Sequence, residues 1–159
     1  MPTIIDGTDS HLDIAAQIWA EATSARDGGD DVAPLNISRP IIARVLESSR
    51  RALLLVILND AGEAVGFAAI APVPENAEMA ELHYVGVSPY VWGGGFGKQL
   101  MAAVPAVLKE RDFTAAKLAV YADNPRAVRL YEHLGWRRHG DPTPHPRSGR
   151  PEQEYRLSI

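Results

Sequence analysis

The sequence contains no cysteine, which excludes disulfide bonds, a nucleophilic thiol and a cysteine-ligated metal site. It has no apolar run close to the roughly 20 residues that cross a bilayer, and its first residues lack the basic and apolar regions of a signal peptide. Its formal net charge is −4, so the basic excess typical of nucleic-acid-binding proteins is missing. We therefore expect a cytoplasmic protein that binds no metal, no membrane and no nucleic acid.

Length and composition are those of one globular domain spanning 1–159, with 46% apolar and 23% charged residues. Apolar periodicity predicts strands at 3–7, 52–58, 64–71, 79–87, 117–121, 136–139 and 154–158. Helices are predicted after residue 8, after Ser38 as a cap, at 97–110 and from 125. The proline-rich segment 140–151 is predicted to be a loop. This order indicates an α/β protein with a mixed sheet.

A glycine-rich run, Trp92-Gly93-Gly94-Gly95-Phe96-Gly97-Lys98, joins the strand that ends at Val87 to the next helix. Glycines let the backbone approach a ligand closely, and the first turn of a helix offers unpaired N–H groups and a partial positive charge. The run therefore predicts a binding site for a phosphorylated cofactor. A P-loop is excluded because Gln99 follows the lysine, and a dinucleotide fingerprint is excluded because Lys98 occupies its third glycine position.

The run resembles the pyrophosphate loop of the GNAT acetyltransferases, whose pattern is [QR]-x-x-G-x-[GA], although Trp92 stands where the family has Gln or Arg. A second segment, from Asn124 to Trp136, matches the family pattern N-x-x-A-x-x-L-Y-x-x-x-G-[FW]. The resemblance covers 80–136 directly and implies acetyl-CoA as cosubstrate. It assigns cofactor contacts to Trp92, Gly93, Gly94, Gly95, Phe96, Gly97 and Lys98.

Two residues of the second segment have both a structural and a functional interpretation. Tyr131 lies on the apolar stripe of its helix, so it is either an ordinary core aromatic or, as the resemblance implies, the acid that protonates the leaving thiolate. Asn124 is a helix cap and, by resemblance, also a hydrogen-bond partner of the pantetheine arm.

The strand before the glycine loop changes from polar to apolar along one nominal face, which a bulge near 84–86 would resolve. The GNAT resemblance implies that such a bulge splays two parallel strands, with helices on both faces of the sheet. Backbone groups of Val85 and Val87 would then pair with the pantetheine amides, and an N–H near Val85 would act as the oxyanion donor.

Acetyl transfer to an amine requires a base, and Glu81 and His83 are the candidates on this strand. If neither is catalytic, Glu81 is a solvated glutamate at the end of the strand and His83 is a histidine of the core. Direct transfer in a ternary complex is expected. The alternatives are a non-catalytic acyl-CoA-binding module and an acyltransferase that uses a longer acyl group.

The acceptor is expected to be a primary amine of a small molecule or peptide. Asp27, Asp30 and Asp31 lie in a loop where family substrates bind, and they could attract a cation. The arginine-rich segment 137–150 could instead favour an acceptor that carries a carboxylate or phosphate. The sequence decides neither point, and it leaves a homodimer open.

Overall fold

The computed structural model describes residues 1–29 and 31–159. Its elements follow one another along the chain as β1 (Thr3–Asp6), α1 (Leu12–Arg26), α2 (Leu35–Glu47), β2 (Leu53–Leu58), β3 (Ala64–Val73), β4 (Asn76–Val87), a short 3₁₀ turn (Pro89–Val91), α3 (Phe96–Glu110), β5 (Ala115–Tyr121), α4 (Pro125–His133), β6 (Arg137–Pro144) and β7 (Pro151–Ser158). Among the described helices, none is long and apolar enough to cross a membrane.

The strands form one open sheet in the order β1-β2-β3-β4-β5-β7-β6. β4 and β5 pair in parallel, and the other neighbouring pairs are antiparallel. Apolar side chains cover both faces. Residues of α3 and α4, including Leu100 and Val104, pack against one face, and residues of α1 and α2, including Ile18 and Ile42, pack against the other. The predicted mixed sheet with helices on both faces is confirmed.

The second helix begins earlier than predicted. Ser38 does not cap it, because the helix starts at Leu35 with Pro34 at the cap position, and the Ser38 N–H already donates to the Pro34 carbonyl at 3.1 Å. The side chain of Ser38 is instead fully buried, and its hydroxyl has no hydrogen-bond partner among the described residues.

The proline-rich segment 140–151 is not the loop that its composition predicts. β6 continues to Pro144 and β7 begins at Pro151, so only 145–150 connect the two strands. β6 lies at the edge of the sheet, where a proline breaks no ladder hydrogen bond that the sheet needs. The side-chain amide of the buried Gln153 donates to the carbonyls of His139 and Gly140, at 3.2 and 3.1 Å, and so fills an irregularity in the β6–β7 pairing.

Candidate active site

The glycine-rich loop forms an array of unpaired backbone donors at the start of α3. Gly93 and Gly95 have φ angles of +88° and +84°, a conformation that other residues rarely adopt. The Gly94 N–H donates to the Val91 carbonyl. The N–H groups of Gly93 and Gly95 donate to no other group among the described residues, and the same holds for those of residues 96–98 in the first turn. Five donors on one short loop form a cradle for an anion.

Trp92 connects this loop to the end of β4. Its indole Nε1 donates to the carbonyl oxygen of Val87 at 2.8 Å, although 46% of the side chain is exposed. A Cβ atom on Gly97 would lie 3.5 Å from a Val87 methyl group, so the start of α3 also packs against the end of β4. Phe96 packs against the core on the α3 face, whereas Lys98 is exposed.

The bulge in β4 lies at His83, slightly before the predicted 84–86. β3 pairs Ala69 with Tyr84 but the next residue, Ile70, with Leu82, so His83 is the extra residue. Leu82 packs on the α3 face, while Tyr84 packs on the α1 face. There the Tyr84 ring meets that of Trp19 edge-on, with ring centroids 6.0 Å apart. The bulge therefore changes which side chains of β4 face α3 and which face α1. It places the Tyr84 ring on the face where Trp19 lies.

β4 and β5 separate at the bulge. Their parallel pairing ends at Leu82 opposite Leu118, after which β4 continues beside β3 and β5 continues beside β7. The splayed pair that the resemblance implies is thus present. A V-shaped gap opens between residues 83–87 of one strand and 119–121 of the other.

Val85 and Val87 direct their backbone groups into this gap. The Ser88 N–H donates to the Val65 carbonyl at 2.8 Å, and the same register continues back through Val85. Because residues of an antiparallel strand point their N–H and C=O groups alternately to either side, those of Val85 and Val87 point away from β3. The N–H groups of both residues and the carbonyl of Val85 therefore edge the gap and can pair with an inserted amide chain, whereas the Val87 carbonyl already accepts the Trp92 indole N–H.

The two base candidates, Glu81 and His83, lie together where the gap begins. Lys117, which sequence analysis missed, lies beside them. Glu81 points to the α1 face because its neighbours Ala80 and Leu82 pack on the other. One oxygen of Glu81 lies 3.8 Å from His83 Nδ1, and the other lies 3.8 Å from Lys117 Nζ. All three side chains are about one-quarter to one-third exposed, at 31, 36 and 24%. The cluster is thus accessible to solvent and to a substrate.

The α4 residues take up the predicted local positions. The Asn124 side chain accepts a hydrogen bond from the Ala127 N–H at 3.3 Å, which confirms the cap, and Gly135 follows the helix with a φ angle of +96°. Tyr131 packs against the α3-side core and against Trp136, with ring centroids 6.3 Å apart. Burial raises the pKa of the Tyr131 hydroxyl to about 12, so the hydroxyl is neutral at physiological pH and can donate a hydrogen bond.

Asp27 and Asp31 are the two acidic-loop candidates that the structure describes. Asp27 lies at the end of α1, where its backbone N–H donates to the Thr23 carbonyl at 3.0 Å, and its carboxylate pairs with the neighbouring Arg26 at 3.1 Å. Asp31 is exposed, and Asp30 lies outside the described residues. Among the described residues, no three His, Asp or Glu side chains are grouped so that they could hold a metal ion.

A family model for the GNAT family of acetyltransferases matches residues 16–136 of this chain. The chain belongs to the GNAT acetyltransferase family. Among curated relatives of this GNAT protein, the mycothiol acetyltransferase of Streptomyces griseus is 31% identical over 80% of the chain and 47% of its own length. That of Salinispora tropica is 39% identical over 53% of the chain and 28% of its own length. The chain therefore spans less than half the length of these relatives.

Solved structures share the fold of this GNAT protein. The ribosomal-protein-S18-alanine N-acetyltransferase of Escherichia coli superposes with a TM-score of 0.78 at 23% identity, covering 100% of this chain and 94% of that one. The ribosomal-protein-alanine N-acetyltransferase of Brucella melitensis gives 0.77 at 19% identity, covering 99% of both chains. At these identities the likeness concerns the fold alone.

Proposed function

We propose that this GNAT protein transfers the acetyl group of acetyl-CoA directly to a primary amine of a small molecule or peptide. The observation that carries the proposal is the junction of two sets of unpaired backbone groups. The free N–H groups of Gly93 and of residues 95–98 adjoin the end of β4 through Trp92, and the N–H groups of Val85 and Val87 line the gap that follows. A ligand with an anionic diphosphate and an amide-containing arm matches both sets.

In this proposal, the glycine loop binds the diphosphate through backbone donors and the partial positive charge at the start of α3. The side chain of Asn124 caps α4 through its oxygen. Its amide N–H groups therefore remain available to hydrogen-bond the pantetheine arm. Bound acetyl-CoA supplies an activated thioester. A Val85 N–H directed into the gap can donate to a carbonyl oxygen as that oxygen gains negative charge, which in comparable acyl transfers is worth about 3 kcal/mol.

The base acts on the acceptor. An ammonium has no lone pair, so Glu81 or His83 first takes one of its protons, directly or through water. The nitrogen loses a second proton once it has acquired the acyl group, and one proton ends on the departing sulfur. Either candidate can reach a substrate because both side chains are partly exposed.

Tyr131 acts as a hydrogen-bond donor to the departing sulfur. Its pKa of about 12 lies above the about 8.5 of an ordinary thiol in water, so the hydroxyl is the weaker acid and is expected to share its proton with the sulfur rather than to transfer it completely. A neutral hydroxyl nevertheless stabilises the sulfur's negative charge while a proton arrives from solvent or from the acceptor nitrogen. This role differs from the full protonation that the family resemblance implies.

The test measures thiol release from acetyl-CoA with a panel of acceptors. The panel contains putrescine, spermidine, alanine amide, an alanyl tripeptide amide, kanamycin and, because of the relatives' names, deacetylated mycothiol. We expect CoA to raise the Tm and at least one amine to release thiol stoichiometrically with acetylation. A Tm shift without thiol release for any acceptor would favour the non-catalytic acyl-CoA-binding module. Release with propionyl- or butyryl-CoA in preference to acetyl-CoA would favour the longer-acyl alternative. No Tm shift with either CoA or acetyl-CoA would overturn the proposal.

A further inference from the structure

A cluster of side chains ties the connection between β6 and β7 to the end of β5. The guanidinium of Arg150 donates to both carboxylate oxygens of Asp123, with Nη2–Oδ1 and Nε–Oδ2 distances of 2.7 and 3.3 Å. The same guanidinium lies over the ring of Tyr121, with its central carbon 3.8 Å from the ring centroid. A bidentate pair combined with stacking is a geometry that lysine cannot reproduce.

The connecting segment 145–150 is itself ordered around this contact. The His145 N–H donates to the Arg150 carbonyl at 2.8 Å, and the Gly149 N–H donates to the His145 carbonyl at 2.9 Å. The His145 ring meets the Tyr121 ring edge-on at 5.6 Å, and the Ser148 hydroxyl donates to the Tyr121 hydroxyl at 3.3 Å. We call this segment with its contacts to Asp123 and Tyr121 the latch.

The latch lies at the open end of the gap. Leu118 and Val120 of β5 face the α3 side, so Lys117 and Tyr121 face the α1 side together with Glu81. Tyr121 lies four residue steps along the strand from Lys117, a distance of about 13 Å. The end of α1 closes the far side, because the guanidinium carbon of Arg26 lies 5.8 Å from the Tyr121 ring centroid. The latch and the cluster of Glu81 and Lys117 therefore border the same side of β5.

The latch is also connected to the start of α4, where Asn124 is the proposed cofactor contact. Asp123 directly precedes Asn124, which begins α4. The pKa of Asp123 is held below its usual range by the hydrogen bond from Arg150, so the carboxylate is ionised at neutral pH.

We propose that Arg150 is a positioning residue, which fixes the latch through Asp123 and Tyr121 as one wall of the acceptor site. This inference rests on the proposed acetyl transfer. Exposed ion pairs contribute little to global stability, so the effect of Arg150 is expected in acceptor binding. Binding of acetyl-CoA and the folded state are expected to be insensitive to it.

The test compares Arg150→Gln and Arg150→Lys with Arg39→Gln. Arg39 forms an exposed pair of the same kind with Asp13, with an Nε–Oδ1 distance of 2.7 Å, but it joins α2 to the beginning of α1. The acceptor used is whichever of putrescine, alanine amide and kanamycin the wild-type protein acetylates fastest. We expect Arg150→Gln to raise the KM for that acceptor about fivefold to tenfold, with the KM for acetyl-CoA unchanged within about twofold. Arg150→Lys should recover part of the loss, and Arg39→Gln should match the wild type.

Trypsin provides a second readout that needs no acceptor. Cleavage after Arg147 requires the latch to open, whereas the bond after Arg150 is protected by Pro151. We expect faster cleavage after Arg147 in Arg150→Gln than in Arg39→Gln. An unchanged acceptor KM in Arg150→Gln, or a parallel rise for acceptor and acetyl-CoA, would overturn the latch proposal alone. Absence of thiol release by the wild-type protein with every acceptor would instead remove the proposed function on which it rests.

Discussion

Replacing Tyr131 by Phe should alter how the stability of the protein depends on alkaline pH. The pKa of Tyr131 is about 12 in the folded protein because of burial, against about 10 in an unfolded chain. Between these values the folded protein retains a proton that the unfolded chain has lost. The contribution is therefore fully present below pH 10 and disappears as the pH rises toward 12.

The shift of about 2 pKa units corresponds to about 2.7 kcal/mol in total, of which about 1.4 kcal/mol is lost by pH 11. Urea denaturation at pH 8, 10 and 11 measures the free energy of unfolding. The wild type should lose about 1.4 kcal/mol more than Tyr131→Phe between pH 8 and pH 11. Other groups that titrate in this range, including Tyr155 with its raised pKa, are present in both proteins and cancel in the comparison.

Tyr90→Phe is the matched control, because Tyr90 is 87% exposed and should follow the wild-type curve. If the curves of wild type and Tyr131→Phe run parallel within about 0.3 kcal/mol, Tyr131 is not desolvated and its pKa is not raised. In the thiol-release assay, the same variant should lower kcat about tenfold or more while the Kd for CoA changes less than about twofold. An unchanged kcat would leave Tyr131 a packing residue.

Three further predictions concern the loop, the base and the core. Gly93→Ala and Gly62→Ala each place a methyl group in open space at a positive φ, so both should cost about 1 kcal/mol of stability. Only Gly93→Ala should weaken CoA binding, by about tenfold in calorimetry, because it distorts the donor array. Glu81→Gln and His83→Ala should be separated by their pH–rate profiles, since only loss of the true base abolishes the acid limb of kcat/KM; if both retain it, the proton is removed elsewhere. Ser38→Ala should raise the free energy of unfolding by about 1 kcal/mol, because it removes a buried hydroxyl without a partner; a decrease in urea denaturation would indicate an overlooked hydrogen bond.

The features that sequence predicts well are those whose physics is local. The capped helix α4 is specified within its own segment, by the Asn124 side chain at one end and by Gly135 with its positive φ at the other. The glycine loop is similar, because Gly93 and Gly95 adopt backbone conformations that depend on residue type more than on neighbours. Neither needs a distant partner to form.

The features that sequence misplaces depend on distant partners. Ser38 lies inside α2 with its side chain fully buried, so the preference of serine for cap positions does not decide where this helix begins. The strand at 140–144 forms because it lies at an edge and because Gln153, from the opposite strand, satisfies the carbonyls of His139 and Gly140. Composition alone carries no information about that partner.

The bulge shows how one such long-range contact builds the candidate site. The strand pattern requires an exchange of faces between Glu81 and Val87, but the residue at which it occurs is fixed by the Tyr84 ring, which packs against Trp19 of α1. Placing the extra residue at His83 brings its ring to Glu81 and leaves Val85 beyond the last β4–β5 pair, which is Leu82 opposite Leu118. The base candidates and the unpaired strand edge are therefore consequences of the same displacement. A substitution that removes the Tyr84–Trp19 contact should therefore disturb the base candidates and the strand edge together.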